Sequence, residues 1–97
     1  MQIGGLKTIL VKEGQEQEFE RLFAELRAAI RDGEPGCLYY SLLKSRTNAR
    51  AYIVEEQYGD EAAFDLHQTS PYGKDYFPKI RAILESIQVE YFDVIVP

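Results

Sequence analysis

The segment "CLYYSLLKSRTNARAYIVEEQY" (37–58) predicts a β-hairpin in the middle of the chain. Residues 37–44 and 51–58 are rich in aliphatic, aromatic and β-branched side chains, which is typical of strands. The polar sequence between them, "SRTNAR", has the length and composition of a hairpin loop. We therefore expect two antiparallel strands that are neighbours in one sheet.

A strand and a long helix are predicted before this hairpin. Residues 3–12 form a largely apolar run that ends at the turn signal Glu13-Gly14. From 15 to 31, apolar residues recur at steps of three and four, which places them on one side of a helix. They are Phe19, Leu22, Phe23, Leu26 and Ile30. The helix should stop at Asp32-Gly33, because glycine readily adopts the left-handed conformation that ends helices.

Two short helices and a final strand are predicted after the hairpin. Asp60 is a good N-cap for the first helix, and Ser70-Pro71 has the cap-then-proline order that starts a second one. Pro78 falls inside this second helix, where proline removes a hydrogen bond and clashes with the preceding turn. We expect a kink or break near Phe77. Residues 86–97 return to a strand pattern.

The resulting order, β-α-β-β-α-β with the second helix split, predicts one α+β domain over residues 1–97. This ferredoxin-like plan is a four-stranded antiparallel sheet with helices on one face. The other face should carry apolar residues such as Leu10, Tyr39, Leu43 and Ile53. A second copy of the chain is the economical cover for such a face, so we expect a homodimer packed sheet against sheet.

Composition argues against several classes of partner. The net charge of −5 repels nucleic acid and anionic membranes. RNA-recognition domains share the element order, but the glycines of their aromatic motif are absent from "RAYIVEEQY", and Glu55-Glu56 would repel phosphate.

No apolar run approaches the roughly 20 residues of a membrane span, and the start lacks a signal-peptide pattern. With the single cysteine Cys37, no internal disulfide can form, and we expect a soluble cytoplasmic protein.

His67, the only histidine, is the main candidate for chemistry. It should lie on the side of its helix that faces the sheet. A structural imidazole that donates one hydrogen bond is one interpretation, and an acid-base group is the other, because histidine titrates near pH 6.5. No metal site is expected, because zinc needs three or four ligands and no second histidine or CxxC motif is present.

Other residues could complete a site around His67. Glu55 and Glu56 alternate across their strand, so only one of them can face inward. If the face of Glu56 meets the helices, its carboxylate could accept a hydrogen bond from His67, which would fix the tautomer of the ring, or from a tyrosine hydroxyl; the other interpretation is a plain surface glutamate. Several aromatic residues could line a pocket for a flat phenolic or quinone-like ligand. They are Tyr39, Tyr58, Tyr72, Tyr76 and Phe77.

The stretches "EPGCLYYSLL", "YIVEEQYGDEAAFDLHQTSPY" and the final "VI" strand resemble the antibiotic biosynthesis monooxygenase superfamily of small dimeric α+β barrel proteins. The family pattern matches Glu56, Tyr58, Asp60-Glu61, His67 and Ser70-Pro71. The sequence departs from the haem-degrading members, because Lys7 stands near their strand-one asparagine, Phe77 stands near their histidine, and tryptophan is absent. Haem degradation is therefore not expected.

The resemblance implies a homodimeric monooxygenase without a cofactor that deprotonates a phenol or hydroquinone so that its anion reacts with dioxygen. His67 would be the base or a substrate-orienting donor, and Glu56 its partner. One alternative is an isomerase of a small phosphorylated diketone of the autoinducer-2 type, for which Lys74, Lys79 and Arg81 are the basic candidates. Another is a regulatory dimer that binds a small molecule without catalysis.

Overall fold

The computed structural model describes residues 1–97 as a four-stranded antiparallel sheet with three helices. The elements in chain order are β1 (Ile3–Val11), α1 (Glu16–Gly33), β2 (Cys37–Lys44), β3 (Ala51–Tyr58), α2 (Glu61–Gln68), α3 (Pro71–Ala82) and β4 (Leu84–Asp93). The strand order is β2-β3-β1-β4. The predicted hairpin and the ferredoxin-like arrangement of the single chain are confirmed, and the split of the second helical segment falls between Gln68 and Pro71.

The core lies between one face of the sheet and the helices. The predicted apolar side of α1 is buried over its whole length. It packs on sheet residues that share one face because alternate side chains of a strand point the same way. In the register, Ile9 of β1 lies between Tyr52 of β3 and Ile87 of β4. This register decides which polar side chains point into the core beside them.

Pro78 does not break α3. The helix continues through it to Ala82, so the predicted break near Phe77 is wrong. Lys74, whose carbonyl loses its hydrogen-bond donor to proline, lies with Pro78 on the exposed side of the helix, where water can supply the missing donor. Ser70 occupies the predicted N-cap position, but its hydroxyl makes no cap hydrogen bond.

The last strand is shorter at its end than predicted. β4 runs from Leu84 to Asp93, and residues 94–97 are not strand. Asp93 pairs with Ile3, the first residue of β1, so β1 offers no further strand residue beyond this point. One bond from the Val94 N–H to the Gln2 carbonyl (2.9 Å) closes the ladder.

The sheet face opposite the helices is uncovered and partly apolar. Its large exposed side chains are Leu6, Tyr39, Leu43, Ile53 and Phe92. Three of the four residues predicted for this face are among them, and Leu10 is half-buried. None of the three helices combines the length and apolarity needed to cross a lipid bilayer.

Candidate functional site

A cavity of about 160 Å³ lies between the helix-covered face of the sheet, α1 and α3. Of its 16 lining residues, 12 are hydrophobic, so its few polar groups are conspicuous. These are Lys7 from β1, His67 and Gln68 from α2, and Arg81 from α3. Ile87, Val89 and Tyr91 of β4 form the side that is open to solvent, because these three lining residues are exposed.

His67 is fixed in the wall of this cavity by the way α2 begins. Asp60 caps α2 by accepting a hydrogen bond from the Ala63 N–H (2.8 Å), and the start of the helix decides which of its residues face the sheet. His67 is 2% exposed. Its ring centroid lies 5.1 Å from that of Tyr58, 5.4 Å from that of Tyr40 and 5.8 Å from that of Phe77.

The partner of His67 is Glu34, which directly follows α1. The Nδ1 atom of His67 lies 3.0 Å from Oε1 and 3.3 Å from Oε2 of Glu34, and Glu34 is itself 2% exposed. Tyr72 of α3 donates its hydroxyl hydrogen to Oε2 of the same carboxyl. The hydrogen bond from Tyr72 favours the ionised form of Glu34. With Glu34 ionised, the carboxylate only accepts, so Nδ1 carries the ring hydrogen and Nε2 keeps a lone pair. Nε2 is buried and has no hydrogen-bond partner in the chain.

Burial controls the charge of this pair. It lowers the pKa of His67 to about 4, with the nearby Lys7 adding to the effect and Glu56 opposing it. Burial raises the pKa of Glu34, and the hydrogen bond from Tyr72 opposes that shift. His67 is therefore a neutral imidazole at pH 7, and the titration near pH 6.5 expected from its residue type is corrected downwards.

Glu56 points inward and is 2% exposed, but it pairs with Lys7 and makes no hydrogen bond to His67. Lys7 Nζ and Glu56 Oε2 are 3.1 Å apart, and the carboxyl has no other polar partner. The reason lies in the register, because Glu56 stands opposite Gly5 of β1. A Cβ at Gly5 would lie 2.7 Å from Glu56 Cγ, so the missing side chain provides the space that the carboxyl occupies.

Only some of the aromatic residues predicted to line the pocket lie near it. Tyr58 and Tyr72 lie beside His67 and Glu34, and Phe77 lines the cavity. Tyr39 does not, because strand alternation turns it to the open face while Tyr40 points inward; its hydroxyl donates to Glu55 there (3.1 Å). Tyr76 is also outside the cavity.

Tyr76 does not line the cavity, because it lies on the part of α3 that faces α1. Its hydroxyl donates to Glu25 of α1 at the surface (3.0 Å). Among the lysines and arginine predicted for phosphate, only Arg81 lines the cavity. The pocket therefore has fewer tyrosines and fewer basic side chains in its wall than the sequence indicated.

Two site residues were missed by sequence reasoning. Glu34 was not singled out, because it lies just after the predicted helix stop at Asp32-Gly33 and nothing local marks it as buried. Lys7 did carry a signal, since it shares its strand face with Ile9 and Val11, both of which are buried. A lysine on a buried face needs a partner, and Glu56 is the inward carboxylate on the neighbouring strand.

Neither a reactive cysteine nor a group of metal ligands is found at the site. Burial raises the pKa of the Cys37 thiol to about 11, with Glu34 contributing, so the reactive thiolate is disfavoured. The structure brings no three His, Cys, Asp or Glu side chains together in a metal-binding group.

Solved structures share this fold over nearly the whole chain. A protein from Caulobacter crescentus CB15, whose description names an antibiotic biosynthesis monooxygenase, is 31% identical, with a TM-score of 0.92 over 98% of this chain and 91% of that chain. Protein SO0527 from Shewanella oneidensis is 33% identical, with a TM-score of 0.85 over 94% of this chain and 88% of that chain. SnoaB, described as a cofactor-independent oxygenase from Streptomyces nogalater, is 23% identical with a TM-score of 0.85 over 99% of this chain and 95% of that one.

The SnoaB identity is low enough that this similarity shows the fold alone. No curated protein matches the chain. The sequence model of the family described as antibiotic biosynthesis monooxygenase matches residues 5–79, which is most of the chain and includes most of β1, α1, the hairpin, α2 and most of α3. With this match and the 31% identical relative that covers 98% of it, the chain belongs to the antibiotic biosynthesis monooxygenase family.

Proposed function

We propose that this protein is a cofactor-independent monooxygenase of a small phenol or hydroquinone, with His67 as the base. The observation that carries the proposal is the state of His67. Glu34 holds its Nδ1 side, while its Nε2 lone pair is buried without a partner in the wall of an apolar cavity. A general base needs this combination of a fixed ring and a free lone pair.

The reaction begins with proton transfer from the substrate. The hydroxyl of the phenol donates to Nε2, and its proton moves onto the imidazole as the phenolate forms. The Nδ1–H of the ring donates to Glu34, which holds the imidazole in place while the proton arrives at Nε2. The electron-rich anion then reacts with dioxygen. For a hydroquinone, one oxygen atom enters the ring, the other leaves as water, and the product is a hydroxyquinone.

The size and lining of the cavity favour a single ring. An apolar cavity of roughly 150 Å³ accommodates benzene, and the cavity here measures about 160 Å³. Phe19, Phe23 and Leu26 of α1 close one side and keep water from the reacting anion. A fused polycyclic substrate would require the exposed β4 side to carry the remaining rings.

The comparisons support this class of reaction. SnoaB has the same fold and is described as a cofactor-independent oxygenase, and the family name itself is that of monooxygenases.

The isomerase of a phosphorylated diketone is the second candidate, favoured by the two cations Lys7 and Arg81 in the cavity wall. In that reaction His67 would move a proton next to a carbonyl. Binding without catalysis is the third.

We propose that the active form is a homodimer formed through the open sheet face. Five large apolar or aromatic side chains are exposed there in the single chain, on a face that no helix covers. A face of this kind is self-complementary when two copies pack sheet on sheet. The predicted α+β barrel would result.

Oxygen consumption tests the proposed function. The purified protein is assayed with a panel of single-ring hydroquinones, and His67→Gln is compared with Asp65→Asn, a substitution on the exposed side of the same helix. We expect His67→Gln to lose about 10²-fold or more of the rate and Asp65→Asn to keep it. A folded His67→Gln protein with the wild-type rate would exclude His67 as the base.

The same samples separate the alternatives. Turnover of a phosphorylated diketone without oxygen uptake would support the isomerase. Ligand binding without any turnover would support the regulatory dimer.

A further inference from the structure

Lys7 is a charged group in the cavity that the proton transfer to His67 does not use. It lies on β1, its side chain is only 15% exposed, and its ammonium group is 3.1 Å from Glu56 Oε2. Nζ has three hydrogens, and this ion pair is its only polar contact with another side chain. The chain therefore retains donor capacity on Nζ inside an apolar cavity.

Lys7 and His67 flank the same part of the cavity. Lys7 Nζ lies 5.7 Å from the ring centroid of Tyr40 and 5.9 Å from that of Phe77. The His67 ring lies 5.4 Å and 5.8 Å from the same two centroids. A hydroxyl that donates to Nε2 of His67 is thus in the region where the ammonium charge acts.

Among the charged groups around this region, only Lys7 lies beside the same aromatic rings as His67. From the sheet, Glu56 is the only acidic neighbour of the ammonium, and it is already paired. From α3, Arg81 lines the cavity and forms no ion pair in the structure. α1 contributes only Phe19, Phe23 and Leu26 to the lining. Lys7 is therefore the cation that lies beside the same two aromatic rings, Tyr40 and Phe77, as His67.

We infer that Lys7 binds the anionic oxygen of the substrate, so that the cavity selects single-ring phenols as their phenolates. The inference rests on the proposed function for the class of substrate. Before proton transfer, the phenol oxygen donates its hydrogen to His67 and accepts one from Lys7. After transfer, the new negative charge faces the ammonium group in a site with little water, where their attraction is strong.

Anaerobic binding of 4-nitrophenol tests this role without turnover, because the phenolate is coloured and the neutral phenol absorbs elsewhere. The titration is done over a range of pH with wild type, Lys7→Met, Lys7→Arg and the control Lys79→Met on the exposed side of α3. Neutral 4-nitroanisole serves as the matched ligand. The variant Lys7→Met/Glu56→Gln is included because Lys7→Met alone leaves a buried carboxylate without its partner.

We expect wild type and Lys79→Met to bind the phenolate in preference to the neutral phenol. Lys7→Met and the double variant should bind the phenolate roughly tenfold to a hundredfold more weakly, the scale of a charge-assisted hydrogen bond, and bind 4-nitroanisole unchanged. Lys7→Arg should keep most of the preference. Wild-type phenolate affinity in the double variant, or no phenolate preference in wild type, would overturn the inference.

The two proposals can fail separately. Phenolate binding that depends on Lys7, with no oxygen uptake from any hydroquinone, would leave the anion site and remove the oxygenase. Oxygen uptake that depends on His67, with phenolate binding indifferent to Lys7, would leave the oxygenase and remove the anion site.

Discussion

At the scale of single residues, the chemistry of His67 follows from which atom its partner occupies. Glu34 takes Nδ1, so the lone pair is at Nε2. Tyr72 donates to the second oxygen of Glu34 and thereby fixes the carboxyl. A structural histidine usually has both nitrogens satisfied, whereas here one buried nitrogen is left without a partner. The proposed acid-base role of His67 rests on this difference.

Under the proposed function, Glu34→Gln should remove the oxygenase activity by changing the tautomer of His67. A glutamine amide can donate to Nδ1, which would move the ring hydrogen to Nε2 and remove the lone pair from the cavity. We expect oxygen uptake to fall by about 10²-fold or more while the fold is kept. Glu13→Gln in the exposed turn after β1 is the control. A fully active Glu34→Gln variant would show that Glu34 does not orient the base.

The lowered pKa of His67 predicts how stability depends on pH. The folded pKa is about 4, below the ordinary 6.5 of the unfolded chain. The unfolded state therefore binds the proton first as the pH falls, and stability is lost between about pH 6.5 and pH 4. Urea denaturation should show wild type losing roughly 2–3 kcal/mol more than His67→Gln across this range. Parallel pH profiles for the two proteins would contradict the shift.

At the scale of elements, the pairing of β1 with β3 places the Lys7–Glu56 ion pair. Gly5 lies opposite Glu56 and leaves room for its carboxyl. Lys7 then reaches that carboxyl from the same strand face. The cavity therefore depends on a position without a side chain as much as on its polar groups.

Gly5→Ala should displace Glu56 and destabilise the protein. The new Cβ would lie 2.7 Å from Glu56 Cγ and 2.8 Å from Oε1, which forces the buried carboxyl to move. We expect a loss of about 1–3 kcal/mol in the free energy of unfolding. Gly4→Ala is the matched control, because its nearest atom is 3.7 Å away, and it should change stability by less than about 1 kcal/mol. Equal effects of the two substitutions would contradict this role of Gly5.

At the scale of the whole molecule, the proposed homodimer through the open sheet face predicts the mass in solution. Light scattering at micromolar concentration should give twice the chain mass of 11.2 kDa. Ile53→Glu, which puts a charge in the middle of that face, should give a monomer, because a buried unpaired charge opposes association. A monomeric wild type would remove the dimer proposal and leave the cavity of the single chain as the complete site.

The sequence predicts the elements well because their signals are local. The hairpin at 37–44 and 51–58 has the predicted bounds, and the apolar side of α1 is the buried side. The helix break predicted at Pro78 was wrong. The cost of a proline inside a helix depends on whether water can reach the freed carbonyl, and only the packing shows this. Residues 94–97 were predicted as strand, but Asp93 already pairs with Ile3, the first residue of β1. No residue of β1 is left for 94–97 to pair with.

The site was less predictable because its contacts join distant parts of the chain. The placement of His67 on the sheet-facing side of α2 follows from helix periodicity, whereas strand alternation left open which face of the sheet Glu56 occupies. The pairing of His67 with Glu34 spans two elements whose relative placement no local pattern fixes, and Glu56 was assigned to the wrong partner for that reason. Tyr39 was placed in the pocket although the alternation of its strand puts Tyr40 there.

Nitrogen-15 NMR of the single histidine tests the central claim that Glu34 fixes His67 as a base. Because the chain has one histidine, ¹⁵N-histidine labelling gives two ring signals that need no further assignment. At pH 7 we expect a neutral ring with the hydrogen on Nδ1 and a bare Nε2, and protonation with a midpoint near pH 4. A hydrogen on Nε2, or a midpoint near pH 6.5, would contradict the account.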